Sequence, residues 1–403
     1  MKARLNNINF TKENIWYYGF ILALLLDAIV NCITSFLSSY SDKYLSVLSF
    51  FKIPAVLEVA IAVIFLLLIK KNIKLNFLSK IFLIFMVLGI LVGAFSFQLN
   101  SKFVVHIYIY GMPIIMMTFA NCFYKDFVKN TVLQELFYKM IIVSSWIYII
   151  VAVLFRALSM FVPVRYAAFG AGTGIYNIPF FSVESSVGAI LFGYITAFAC
   201  MLSGKRLTLV IAVFTIGVSW FMFKRKKKAL LSHVILCALA LVAVVFLAMT
   251  TNVFDRIWST ISAFFGENAN WYVATGGRDY EIQCIAVYLS EKPWKWIFGA
   301  GFGVQVWIKE IYRHYSHFTP LGYVLISGVF CSCAIYGVLL WNAMKGFALG
   351  LKGRLKKIEK PFIVLLIIAI VVSLFGASLF STPIWWFYIG IALGILEENH
   401  KCI

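Results

Sequence analysis

The sequence predicts an all-α polytopic membrane protein of about eleven to twelve transmembrane helices, forming one integral membrane domain over residues 1–403. Three observations carry that prediction. Of the 403 residues, 63% are hydrophobic and only 13% charged, with mean hydropathy +0.94; a soluble domain carries about 25% charged residues. The apolar residues come in blocks of the length that crosses a bilayer as helix, about 20 residues. Finally, 35 Lys and Arg oppose 16 Asp and Glu, a formal charge of +19. These basic residues alternate with apolar blocks and form no continuous basic surface. They read as anchors holding loops on the cytoplasmic side, and no nucleic-acid partner is expected.

Taken in order, spans are expected at roughly 15–37, 46–69, 79–98, 103–123, 136–155, 182–202, 207–223, 229–250, 318–343, 361–380 and 384–396. The first follows a basic start, MKARLNNINFTKEN, and is long enough to remain as a span instead of being cleaved as a signal peptide. Lys70, Lys71 and Lys74 follow the second span, and Lys125 and Lys129 the fourth, which puts the N-terminus in the cytoplasm. The basic stretch KGFALGLKGRLKKIEK (345–360) should also be cytoplasmic, leaving 251–317 as an extracytoplasmic loop and the tail EENHKCI inside.

Counts from the two ends disagree in the middle of the chain. Lys224–Lys228, five basic residues in a row, fall outside when counted from the N-terminus and inside when counted from the C-terminus. One more crossing between 156 and 206 reconciles them. The stretch 156–181 supplies it as a broken helix, or else stays an outer segment and leaves the basic run outside as an anion-binding cluster. Gly170, Gly172, Gly174, Pro163 and Pro179 suit irregular backbone, which a membrane tolerates only inside protein or beside water.

The eight cysteines show no CxxC and no Cys/His ligand spacing, so neither a disulfide framework nor a metal or other cofactor is expected. Within the outer loop, Ile282, Ile285, Ala286 and Leu289, with Trp294, Trp296 and Trp307 beyond, predict short amphipathic helices at the membrane surface.

The same loop holds the candidate chemistry. Arg278 follows Gly276-Gly277 near the start of a helix, where backbone can approach an anion closely; a lone loop arginine is ordinarily just solvated. Gly299, Gly301 and Gly303 lack the spacing and the strand–helix context of a dinucleotide loop, and are expected to form a sterically open turn beside the site. His314 and His317 lack a third metal ligand. His317, directly before an apolar run, is the better candidate for a general base. Arg165 lies at or near membrane depth, where an arginine needs a partner or a function. Glu184, Asp27 and Glu58 are expected to be arginine partners. Asp255, Asp279 and Glu281 could act as acids, although nothing in their spacing singles them out.

An arginine after Gly-Gly, then Pro293, Gly299–Gly303, His317, Gly322 and Gly328 resembles the O-antigen polymerase and O-antigen ligase superfamily over about 50 residues. The resemblance implies a GT-C-like fold in the bacterial cytoplasmic membrane, with the active site on the extracytoplasmic face. It implies polymerisation of undecaprenyl-pyrophosphate-linked oligosaccharide repeat units (O-antigen, capsule or exopolysaccharide) by metal-independent, inverting glycosyl transfer. Carried over, Arg278 and Arg165 would hold the pyrophosphate and His317 would deprotonate the acceptor. Arg206 would be a third phosphate contact, with Arg225 as the other candidate. A chain-length regulator and a flippase would be partners. The alternatives are the ligase activity of the same superfamily, or a flippase for the same lipid, which should show inverted repeats; none is visible.

Overall fold

A computed structural model describes residues 12–40, 53–69, 73–164, 173–184, 186–203, 206–222, 233–239, 277–308, 311–313, 316–375 and 382–401, with a few single positions between 231 and 263. It is 82% helical. In chain order the helices are α1 (Lys12–Ser38), α2 (Ile53–Leu68), α3 (Phe77–Phe95), α4 (Ser101–Phe127) and α5 (Thr131–Leu158). Then come α6 (Thr173–Ser182), α7 (Val187–Leu202), α8 (Arg206–Met222), α9 (Arg278–Ser290) and α10 (Trp294–Phe298). Two short strands, β1 (Val306–Ile308) and β2 (Ile311–Arg313), precede α11 (Thr319–Leu351), α12 (Lys360–Phe375) and α13 (Pro383–Lys401).

Among the described residues, α1, α3, α4, α5 and α11 are long and apolar enough to cross a membrane. The other expected crossings fall on shorter apolar helices, on α13, or partly outside the described residues. α2, α7, α8 and α12 are 16 or 17 residues long, about 25 Å of helix against a hydrocarbon core of about 30 Å. Of the expected span 229–250, residues 233–239 are described as helix, and most of the remainder lies outside the described residues.

The chain divides into two compact units, one of Met1–Ile73, Phe119–Phe254 and Phe347–Leu365, the other of Lys74–Thr118, Asp255–Gly346 and Leu366–Ile403. In the first, Asn130 caps α5 by accepting from the amides of Val132 and Leu133. α6 then retraces α5. At Gly174 any side chain would meet the Tyr148 ring and Cys200 Sγ. The Asn177 amide donates to Ser144 Oγ at 2.9 Å, and Phe180 packs against Phe137 at 5.7 Å. As α6 advances, its partners on α5 recede. The two are therefore antiparallel, and the chain between Leu158 and Ser182 passes from one end of α5 to the other. Of the stretch 156–181, the final part is helical, and residues 165–172 lie outside the described residues.

α7 turns back from Phe181–Phe192 (4.7 Å) to Cys200 beside Gly174. α8 returns again, since Ser182 Oγ donates to Ser219 Oγ in its last turn at 2.8 Å. Met222 therefore stands at the Phe137 end. So does residue 357: Lys357 Nζ is 2.7 Å from Glu184 Oε2, and Phe362 packs on Phe180 at 5.4 Å. Tyr124 joins the same end through Glu359 Oε1 at 3.1 Å. Glu184 was expected to pair with arginine; the structure pairs it with Lys357. Asp27 accepts from Asn31, one turn along α1, at 2.7 Å, and the buried Glu58 carboxylate has no hydrogen-bond partner among the described residues, so neither has the expected arginine.

In the second unit α11 is broken at Gly328 (φ 83, ψ 172). The loop after α10 fills the break. Ala300 N donates to Leu325 O at 2.8 Å and Gly301 N to Ile326 O at 3.0 Å, carbonyls that an unbroken helix would bond to residues four further on. Phe302 N reaches Gly89 O at 2.9 Å; its buried ring lies on Gly89 of α3 and its backbone on Gly93, where a Cβ would collide with each. Gly303 is held from both sides, its N–H by His106 Nδ1 (2.9 Å) and its carbonyl by the Asn100 amide (2.9 Å). Gly299, Gly301 and Gly303 all have positive φ, and a Cβ on each would meet the backbone of Ile326, Gly93 or Gln98. The expected open turn is thus a closed wedge, because the freed carbonyls of α11 need these amides.

Alanine at Gly301 should be severely destabilising, since it adds a collision with the backbone of Val92 and Gly93 to a positive-φ cost of about 1–2 kcal/mol. Gly353 has φ +67 but open space around its Cβ direction, so Gly353→Ala should lose only that conformational cost. Thermal unfolding in detergent measures both; equal shifts would refute the wedge.

Candidate active site

Gly277, at φ 80, turns the chain into α9 with Arg278 as its first residue. The buried stripe of α9 is Glu281, Ile285 and Leu289, at four-residue spacing, while Ile282 is exposed. The expected short helices are two, α9 and α10, divided by the turn at Lys292-Pro293, and the inward face of α9 carries a carboxylate.

After the glycine wedge, Val306–Ile308 and Ile311–Arg313 pair antiparallel, with Val306 opposite Arg313 and Trp307 opposite Tyr312. Hydropathy and spacing predict no strand here. Val, Trp, Ile and Tyr nevertheless favour extended backbone, and the Trp307 and Tyr312 rings meet across the ladder at 4.6 Å. β1 packs on α9, and the hairpin returns Arg313 to Glu281.

Glu281 is the centre of the site. Its side chain is 5% exposed. Oε1 accepts from Ser316 Oγ at 2.8 Å and from the His317 amide at 2.7 Å. Oε2 lies 2.8 Å from His317 Nδ1 and 3.1 Å from Arg313 Nη1. Burial by itself would raise the Glu281 carboxyl, but the hydrogen bonds from the His317 ring and amide and from Ser316 outweigh it and hold it below the usual carboxylate range. Arg278 stands under the same influences. Burial draws it below its ordinary value and the Glu281 charge pulls it back; it remains a cation throughout.

The short Oε2–Nδ1 contact assigns the imidazole tautomer. A carboxylate oxygen 2.8 Å from a ring nitrogen is attractive only if that nitrogen carries hydrogen, so Nδ1–H donates to Glu281. Arg313 Nη1 is 3.2 Å from the same Nδ1, a meeting of two donors that only the shared carboxylate makes tolerable. In the neutral ring, which is partly exposed, Nε2 is then the lone-pair nitrogen. The arrangement can accept a proton at Nε2 while a fixed carboxylate offsets the charge, the logic of an acid–histidine dyad.

Of the residues expected from sequence, His317 and Arg278 come together here through Glu281. Gly299, Gly301 and Gly303 support the region as packing. Glu184 and Arg206 belong to the other unit, Arg206 as the first residue of α8. Arg165, Arg225 and His314 lie outside the described residues. Sequence reasoning does not single out Glu281, Arg313 or Ser316. The one signal it offers is the three-residue spacing of Arg278 and Glu281, which places both on one face of a helix. No protein-family description, curated protein or solved structure matches this chain.

Replacing Glu281 by Gln removes one partner of a buried charge cluster and should cost about 3–5 kcal/mol at neutral pH. The native carboxyl titrates below its unfolded value of about 4.3. Its contribution is therefore complete above that pH and is lost as pH falls through the lower native value. In thermal unfolding the gap between wild type and Glu281→Gln should hold down to about pH 4.3 and close in stronger acid. A gap that widens on acidification would contradict the assignment.

Proposed function

We propose that the protein is a membrane glycosyltransferase that polymerises undecaprenyl-pyrophosphate-linked oligosaccharide repeat units on the outer face of the bacterial cytoplasmic membrane. The observation that carries this reading is the Glu281–His317 pair, bonded at 2.8 Å, with the Arg278 and Arg313 cations around the same carboxylate. The sequence pattern shared with the O-antigen polymerase and ligase superfamily supplies the substrate class.

In this mechanism His317 Nε2 takes the proton of the acceptor hydroxyl as its oxygen attacks the anomeric carbon of the lipid-linked glycan. The bond from that carbon to the pyrophosphate oxygen breaks on the opposite face, so the configuration inverts. The electron pair leaves with the pyrophosphate, and fixed guanidinium groups stabilise the charge that builds there. Glu281 holds the ring in the tautomer that presents Nε2. The exposed Trp294, Phe298, Trp307 and Tyr312 suit a site at the headgroup level, where a lipid-linked substrate presents its pyrophosphate.

Purified protein with a lipid-linked repeat should give a ladder of lengthened product. Transfer to a separate acceptor without a ladder would mark a ligase, and no new bond would leave a flippase. His317→Ala should lower the rate by a factor on the order of 10²–10⁴, and Arg278→Ala should abolish polymer with protein level unchanged. Arg278→Lys should also be impaired, because a point charge does not reproduce the guanidinium fork. Full polymer from either alanine variant would sink the site.

A further inference from the structure

Arg313 carries more donors than its surroundings use. Among the described residues it hydrogen-bonds through Nη1, which donates to Glu281 Oε2 at 3.1 Å and touches His317 Nδ1 at 3.2 Å. Its Nε is buried without a hydrogen-bond partner, although 23% of the side chain remains exposed. A buried N–H without an acceptor is unfavourable by about 1–3 kcal/mol, and native proteins normally give such a group an acceptor from protein, water, ion or ligand. Glu281 cannot be that acceptor. Its oxygens already receive Ser316, the His317 amide, the His317 ring and Nη1 of Arg313 itself.

We propose that the Nε edge of Arg313 is an oxyanion site that takes a phosphate oxygen of the polyprenyl pyrophosphate; the identity of that anion rests on the glycosyl-transfer reading. Nε–H and the adjacent Nη2–H form the side-on fork of a guanidinium, a geometry that matches phosphate in two parallel hydrogen bonds. With Nη1 held by Glu281, that fork is aimed by a buried group and loses little freedom on binding. One planar cation then spans the carboxylate that orients the base and the anion that departs, which fixes the separation of base and leaving group. The site is not legible as a motif, since Arg313 sits in a strand with no glycine beside it.

The test uses the full chain in nanodiscs of zwitterionic lipid, with inorganic pyrophosphate as the probe in titration calorimetry. Arg313→Lys keeps the charge and can still reach Glu281, but it has no fork; it should bind pyrophosphate at least about tenfold more weakly, while Lys139→Gln on α5 should bind like wild type. In the wild-type protein pyrophosphate should protect Arg313 from phenylglyoxal, a measurement that needs no variant to fold. Failure of wild type to bind, unchanged affinity in Arg313→Lys, or absence of protection would each overturn the proposal. So would displacement of pyrophosphate by added phosphatidylglycerol, which would make the ligand a bilayer headgroup. If Arg313-dependent binding is found but wild type makes no polymer, the anion site stands and the glycosyl-transfer reading falls. Polymer from wild type with unchanged affinity in Arg313→Lys gives the reverse.

Discussion

Backbone groups in an apolar interior must be hydrogen-bonded within the protein, and the second unit is built around that requirement. The break at Gly328 frees the carbonyls of Leu325 and Ile326, and the amides of Ala300 and Gly301 take them up. Only glycine lets the two backbones come so close, which explains the spacing of Gly299, Gly301 and Gly303 better than any ligand does. The wedge also anchors the chain beyond it. Asn100 and His106 fix Gly303, the hairpin projects from there, and the chain returns at Ser316 to begin α11. His317 is suspended between two fixed points, Arg313 on β2 and Thr319 on the helix.

A buried carboxylate imposes the second constraint. Glu281 could not remain ionised inside the fold without several donors, and the segment 313–317 provides them from a side-chain hydroxyl, a backbone amide, an imidazole and a guanidinium. The same bonds fix both the orientation and the tautomer of His317. Stability and proposed chemistry therefore depend on one set of contacts. The groups need no reorganisation when charge develops, which is where preorganised sites gain most of their effect.

The sequence revealed those parts of this arrangement that depend on local composition. Hydropathy located α1, α3, α4, α5 and α11, and two residue types with unusual chemistry in an apolar chain pointed to Arg278 and His317. It could not reveal Glu281, whose significance comes from partners more than thirty residues away, delivered by a hairpin with three-residue strands that composition alone did not suggest. The inward carboxylate of α9 was missed for the same reason. Apolar spacing marked Ile282, Ile285, Ala286 and Leu289 and passed over Glu281, which the donors at 313–317 hold inward beside Ile285 and Leu289. The glycine run was misjudged because its purpose lies in α11 and α3, which local sequence does not show.

The conflict in counting crossings, by contrast, is a physical problem that the sequence itself exposes. In the structure, one end of the first unit gathers Lys125, Lys129, Lys357 and the end of α8 at Met222. Arg156 and Arg206 stand at the other end, as the last turn of α5 and the first of α8. Among the described residues, the lysines of the first unit thus gather at one end and the two arginines at the other.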